Sequence, residues 1–239
     1  MAFGNDRRYM TRVEAEAAEI DVGLRQYMLR VYNYMASGLA LTGIVAMLVA
    51  SSPAAMQVIF GTPLKWVILF APLGLAFYMG ARIQHMKAST AQGIFWLYAA
   101  LIGLMLSSYL VAYTGVSVAR TFFVTAASFG ALSLYGYTTK KDLSGFGSFL
   151  IMGLIGLILA SIVNIFLQSS MMHFVISAIG VLIFAGLTAY DTQRVKEMYW
   201  EADGEEVASK KAILGALALY MDFINLFIFL MQFLGIRRE

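Results

Sequence analysis

Asp222 stands in the apolar run Ala218-Leu219-Tyr220-Met221-Asp222-Phe223-Ile224-Asn225. A charge near the middle of a bilayer costs roughly 2.5–3.5 kcal/mol or more, so a carboxylate there needs a proton, a cation or a water-filled cavity. Asn225 follows three positions on and shares its helix face, which makes that face polar and turns it towards a protein interior. A second carboxylate, Asp191, closes the preceding apolar segment in Gly186-Leu187-Thr188-Ala189-Tyr190-Asp191-Thr192-Gln193-Arg194. If the two meet, they cannot both ionise cheaply and they share one proton, which makes a pH-sensitive latch. With both ionised, they offer hard oxygen ligands suited to Ca²⁺. Arg82, on the same side as Asp191, could pair with them and hold them ionised. The bland readings stand beside these: a protonated Asp222 as packing glue, a solvated Asp191 at the membrane boundary, and a snorkelling Arg82. Among the other polar residues, His85 reads as a loop residue, His173 as the start of a span, and Asn164 as interhelical glue.

The elements that must position this pair are membrane helices. The chain of 239 residues is 60% hydrophobic and 13% charged, against about a quarter charged in a soluble domain. About 20 apolar residues cross the hydrocarbon core, with every backbone polar group satisfied inside the segment. Seven spans are predicted, over residues 31–51, 65–82, 93–114, 117–137, 147–167, 171–190 and 212–234, with Pro72 expected to kink the second. The segments are apolar on all sides, unlike the alternating strands of a membrane barrel. The fold class is therefore an all-α integral membrane protein, one seven-helix bundle over residues 31–239 behind a polar tail at 1–30. In these spans Asp222 is about 15 Å deep and Asp191 is at the boundary, so a meeting requires the helices to run further than drawn.

Lys and Arg set the orientation. The tail with Arg7, Arg8, Arg12, Arg25 and Arg30 falls on one side with Arg82, Lys87, Lys140, Lys141, Arg194, Lys196, Lys210 and Lys211. Lys65, Arg120, Arg237 and Arg238 fall on the other. The N-terminus is thus expected in the cytoplasm and Glu239 outside, with Arg237 and Arg238 facing against the rule. A re-entrant last segment would instead give six spans and an internal C-terminus. The tail has no apolar run with a cleavage site, and its acids fit an organelle transit peptide badly. The acidic stretch 201–206 reads as a solvated loop turning at Gly204.

Three stretches carry a likeness to a known family: 186–193 as above, Tyr135-Gly136-Tyr137-Thr138-Thr139-Lys140-Lys141-Asp142-Leu143-Ser144, and Asp222 with Asn225-Leu226-Phe227. In these and in its layout the chain resembles the Bax inhibitor-1 family, also called the transmembrane Bax inhibitor motif family, in a bacterial form of the plasma (inner) membrane. The resemblance implies a seven-helix fold with a central last helix. It also implies a pH-sensitive calcium leak or Ca²⁺/H⁺ exchange, with Asp191 and Asp222 as the paired sensor and cation site and Arg82 as the arginine of the second span. The expected partners are the lipid bilayer, Ca²⁺ and H⁺, with no cofactor.

Other classes are weighed on the same residues. An intramembrane aspartyl protease also uses two helical aspartates to activate water. Its second aspartate sits in Gly-x-Gly-Asp and a Pro-Ala-Leu motif follows, whereas here Met221 precedes Asp222 and no proline follows Pro72. A retinal protein needs a Schiff-base lysine in the last helix, and 212–234 has none. No enzymatic role is expected. Zero cysteines exclude thiolate chemistry, and the scattered charge, net +3, gives no footing for nucleic acid. The remaining alternative is a non-transporting protein that modulates a membrane protease or a stress or cell-death regulator through surface contacts.

Overall fold

The computed structural model describes residues 12–238. Asp6, Arg7 and Arg8 of the expected tail, and Glu239, lie outside the described residues. The described chain forms eight α-helices: α1 (Arg12–Ala50), α2 (Pro53–Gly61), α3 (Leu64–Arg82), α4 (Ala88–Ala112), α5 (Gly115–Thr138), α6 (Ser144–Leu167), α7 (Ser170–Glu197) and α8 (Glu205–Leu234). All except α2 are long and apolar enough to cross a membrane. Seven spans and an all-α membrane bundle therefore stand as read from the sequence.

Two boundaries differ from that reading. Residues 12–30, expected as tail, are the first half of α1, and Tyr27 and Met28 are already buried there. Between the first two spans the chain forms α2, which Ser52 caps by accepting from Ala55 N at 3.3 Å, with Pro53 in the first turn. Proline suits that position, where its missing N–H would have no helical partner. Pro72 sits buried inside α3, which continues through it.

The last helix occupies the middle. α8 packs against α1, α4, α5 and α7, while α6 packs chiefly on α7. Close packing of this kind relies on small residues. At Gly136 of α5, any Cβ would collide with the backbone of Ala189 on α7.

The re-entrant alternative does not hold, because α8 runs from one end of the bundle to the other. Past Leu234 the chain joins the α4–α5 connection: Thr114 N donates to Ile236 O at 3.0 Å and Arg238 N to Ala112 O at 2.9 Å. Ile236 N donates to Ser117 Oγ at 2.9 Å, and Tyr113 and Arg237 form an antiparallel bridge. Both connected termini of α8 thus lie at opposite ends.

Candidate functional site

Two close approaches set the register of the antiparallel pair α7 and α8. Gly180 faces Phe229, and Gly215 faces Val195. In that register Glu197, the last residue of α7, is level with residue 213. The first two turns of α8, residues 205–212, therefore overhang the end of α7. This overhang answers the depth mismatch expected from the sequence. Asp191 comes level with residue 219, and Asp222 lies three residues on, about 4.5 Å along the axis.

The overhang is held by its neighbours. Arg30 of α1 donates to Ser209 Oγ at 3.0 Å, and Lys210 Nζ donates to Gln84 O at 3.2 Å. Glu206 Oε1 accepts from Ala88 N, the first residue of α4, at 2.6 Å. A carboxylate there satisfies a free N-terminal N–H and complements the helix dipole. Lys211 pairs with Asp203 at 2.5 Å. The acidic stretch 201–206, read as a plain solvated loop, thus supplies a helix cap and an ion pair. Its sequence signal was the basic pair Lys210-Lys211 one or two turns later.

The carboxyl groups of Asp191 and Asp222 are within hydrogen-bonding reach of one another. Asp222 is 4% exposed, and its Oδ2 is buried with no hydrogen-bond partner among the described residues. The Asp191 side chain is 17% exposed, and Arg194 approaches it at 4.0 Å from the next turn of α7. Both aspartates, Arg194 and Asn225 line one cavity of about 560 Å³. Its other walls are α6, through residues such as Leu154 and Ile158, and Leu73 of α3. No extensive contact joins α3 to α6, so the cavity lies behind a seam between two helices. Asn225 donates its amide to Met221 O at 2.9 Å within its own helix.

Arg82 is elsewhere. It ends α3 on the surface, and no described carboxylate comes within 4.0 Å of it. The cation beside the pair is Arg194, whose spacing from Asp191, three residues on one helix, was the signal for it. Asn164 also departs from its reading as interhelical glue: its Oδ1 accepts from Ser169 N at 3.1 Å and closes the α6–α7 turn.

Comparison with known proteins bears on the same residues. The family model described as inhibitor of apoptosis-promoting Bax1 matches residues 24–239. The chain belongs to the Bax inhibitor-1 family. It is 48% identical over 219 residues to the Escherichia coli K12 protein named inner membrane protein YbhL, covering 90% of this chain and 94% of that relative. An uncharacterised Rickettsia prowazekii protein is 52% identical over 219 residues, covering 92% and 93%. An uncharacterised Caulobacter vibrioides protein is 50% identical over 246 residues, covering 98% of each chain.

In this Bax inhibitor-1 protein, two of the stretches that carried the resemblance interlock in space. Buried Gln193 of α7 donates Nε2 to Lys141 O at 2.8 Å and accepts at Oε1 from Leu143 N at 2.8 Å. It thereby clamps the α5–α6 turn with both ends of its amide satisfied, as burial of a polar group requires. Lys196 Nζ donates to Tyr137 O at 2.9 Å. Thr192 meets Ser133 of α5 at 3.0 Å, and Ser133 meets the Tyr32 hydroxyl of α1 at 2.6 Å. Together with the close approach of Gly136 to Ala189, these bonds fix the end of α7 on which Asp191 stands.

Proposed function

We propose that this membrane protein is a pH-sensitive calcium leak or Ca²⁺/H⁺ exchanger, in which the Asp191–Asp222 pair is both the proton sensor and the cation site. The observation that carries the reading is the meeting of two carboxyl groups inside the bundle, with one oxygen of Asp222 buried and unpartnered. In low dielectric two adjacent carboxylates repel strongly, and a proton or a cation between them relieves that repulsion. Protons and Ca²⁺ therefore compete for one place.

A Ca²⁺ ion takes six to eight oxygen ligands, and tight sites supply most of them from protein. Among the described residues no third His, Asp or Glu joins the pair. Two carboxylates with water completing the shell suit an ion that passes, as a transported substrate, better than one that stays. Arg194, 65% exposed, sits where its charge tempers the pair without neutralising Asp222. The resemblance to the family points to the same activity. The proposed orientation has the N-terminus and the α7–α8 connection in the cytoplasm, because the basic connections lie at that end.

The test is Ca²⁺ flux into proteoliposomes of the purified full chain between pH 5 and pH 8. Wild type should pass Ca²⁺ with a pH midpoint, and acid should suppress it because protonation removes the ligand charge. Each carboxylate's ionised fraction falls about tenfold per pH unit below its midpoint. Asp191→Asn and Asp222→Asn should each abolish the midpoint. Protein-dependent flux that ignores pH in the wild type would sink the sensor reading. Folded protein that passes no Ca²⁺ at any pH would favour the interaction-protein alternative.

A further inference from the structure

On the far side of α8 from the carboxyl pair lies a second cavity, of about 510 Å³, within the range of about 300–1,000 Å³ typical of small-ligand sites. Its floor is Phe223, Ile224 and Phe227 of α8 with Leu106 and Leu110 of α4, and its walls are α1 and α5. Both walls pack on α8, yet no extensive contact joins α1 to α5, so a groove faces the bilayer between them. Its lining runs from Leu39 to Met47 on α1 and from Gly115 to Phe123 on α5, apolar except for Thr42, whose hydroxyl is bonded to Ala99 O and Tyr220. Eight residues of helix make about 12 Å, close to the thickness of one leaflet, half of about 30 Å.

Among the described residues, one charged residue lines this groove, Arg238. Arg238 is held in place, since its backbone N donates to Ala112 O at 2.9 Å and its neighbour Arg237 stacks over the Tyr113 ring at 5.9 Å. Arg120 stands beside the wall residue Ala119, and Lys65 begins α3 at the same end of the bundle. Among the described residues that end carries no Asp or Glu: the acids fall on the first part of α1, the α5–α6 turn, the α7–α8 connection and the core pair. These cations are also the ones that oppose the positive-inside rule.

We infer that the groove between α1 and α5 is a binding site for an anionic phospholipid, with an acyl chain between Met47 and Phe123 and the phosphate at Arg238. Shape and charge agree. An acyl chain covers Met47, Phe122 and Phe123, which line the groove and are exposed to the bilayer, and a phosphate at the membrane surface answers an arginine that meets no side-chain carboxylate among the described residues at that end. The groove shares no lining residue with the cavity at the carboxyl pair, so its failure and that of the leak reading are distinguishable.

The test is native mass spectrometry of the full chain released from micelles holding equal phosphatidylglycerol and phosphatidylcholine, with soluble glycerophosphate as competitor. Wild type should retain phosphatidylglycerol in preference by about fivefold, the factor that one interfacial arginine contributes to anionic-lipid binding. Arg238→Gln should bring the ratio near one, and Arg238→Lys should keep most of the preference. A Cβ at Gly43 meets no atom within 4 Å, so Gly43→Leu should fill the groove without a clash and lower retention of both lipids. Equal retention of the two lipids by the wild type would overturn the inference, as would an unchanged preference in Arg238→Gln. Displacement by glycerophosphate alone would overturn the lipid, leaving only a phosphate site.

Discussion

The two faces of α8 each bury a polar group at nearly the same depth, and they treat it in opposite ways. On the face towards α1 and α4, the Tyr220 hydroxyl meets Thr42 Oγ1 at 2.5 Å, and Thr42 also donates to Ala99 O at 2.8 Å. The Tyr220 ring packs edge-on to Phe95 at 5.9 Å and to Tyr98 at 5.7 Å between centroids. The Tyr220 hydroxyl and Thr42 Oγ1 are both partnered there, so this contact holds α8 in place. On the face towards α6 and α7, Asp222 meets another carboxyl group and leaves Oδ2 unpartnered above a cavity. A satisfied buried group anchors a helix, whereas an unsatisfied one beside open space can take up a proton or an ion.

The largest effect on this comparison should come from Tyr220→Ala, which removes the anchor. Truncating a buried aromatic leaves a cavity, and in lipid the water-transfer part of the loss is small, so the low end of the usual range, about 3 kcal/mol, is expected. Thermal unfolding in detergent would measure it, and a midpoint equal to wild type would mean that the face is not an anchor. Thr42→Val should lose about 1 kcal/mol, in line with interhelical hydrogen bonds in membranes of roughly 0.6–1.7 kcal/mol. Asp222→Asn should alter stability by roughly 1 kcal/mol or less, since the amide keeps volume and hydrogen-bonding capacity, while abolishing the pH response of Ca²⁺ flux. A strong loss of stability in that variant, with the pH response intact, would reverse the assignment of the two faces.

The smallest effect is expected at Asp142, a carboxylate of the exposed α5–α6 turn. The Ser144 side chain and then the Ser144 N–H, which donates to Oδ1 at 2.8 Å, hold its carboxyl below the ordinary range. A group depressed in the folded state stabilises above its unfolded pKa of about 3.9, and that contribution is lost only as the pH falls through its lower folded value. Asp142→Asn should therefore leave the pH profile of flux between pH 5 and pH 8 unchanged, and a displaced midpoint would show that the sensor extends beyond the buried pair.

The seven spans, the all-α class and the two aspartates were legible in the sequence, because unbroken apolar runs of about 20 residues and a carboxylate inside one are local signals. Asn225 was legible too, since a three-residue spacing on a helix fixes a shared face. Arg194 had the same kind of signal relative to Asp191, but the sequence alone could not say whether it or Arg82 stood near the pair. Helix α2 was missed because a nine-residue capped helix outside the spans has no membrane periodicity to announce it. The first half of α1 was missed because its charges read as tail, although helix continues through them to reach the bundle.

Composition and hydropathy by themselves determined the solvent of this protein, its number of spans and its suspect carboxylates, since each depends on residues close together in the chain. The tertiary structure alone decided that Asp191 and Asp222 meet. That depends on two helices sliding by two turns until Gly215 faces Val195 and Gly180 faces Phe229, and on an overhang that α1 and the α3–α4 turn hold in place. Register between helices is set by side-chain shape across an interface, a property that no single stretch of sequence contains.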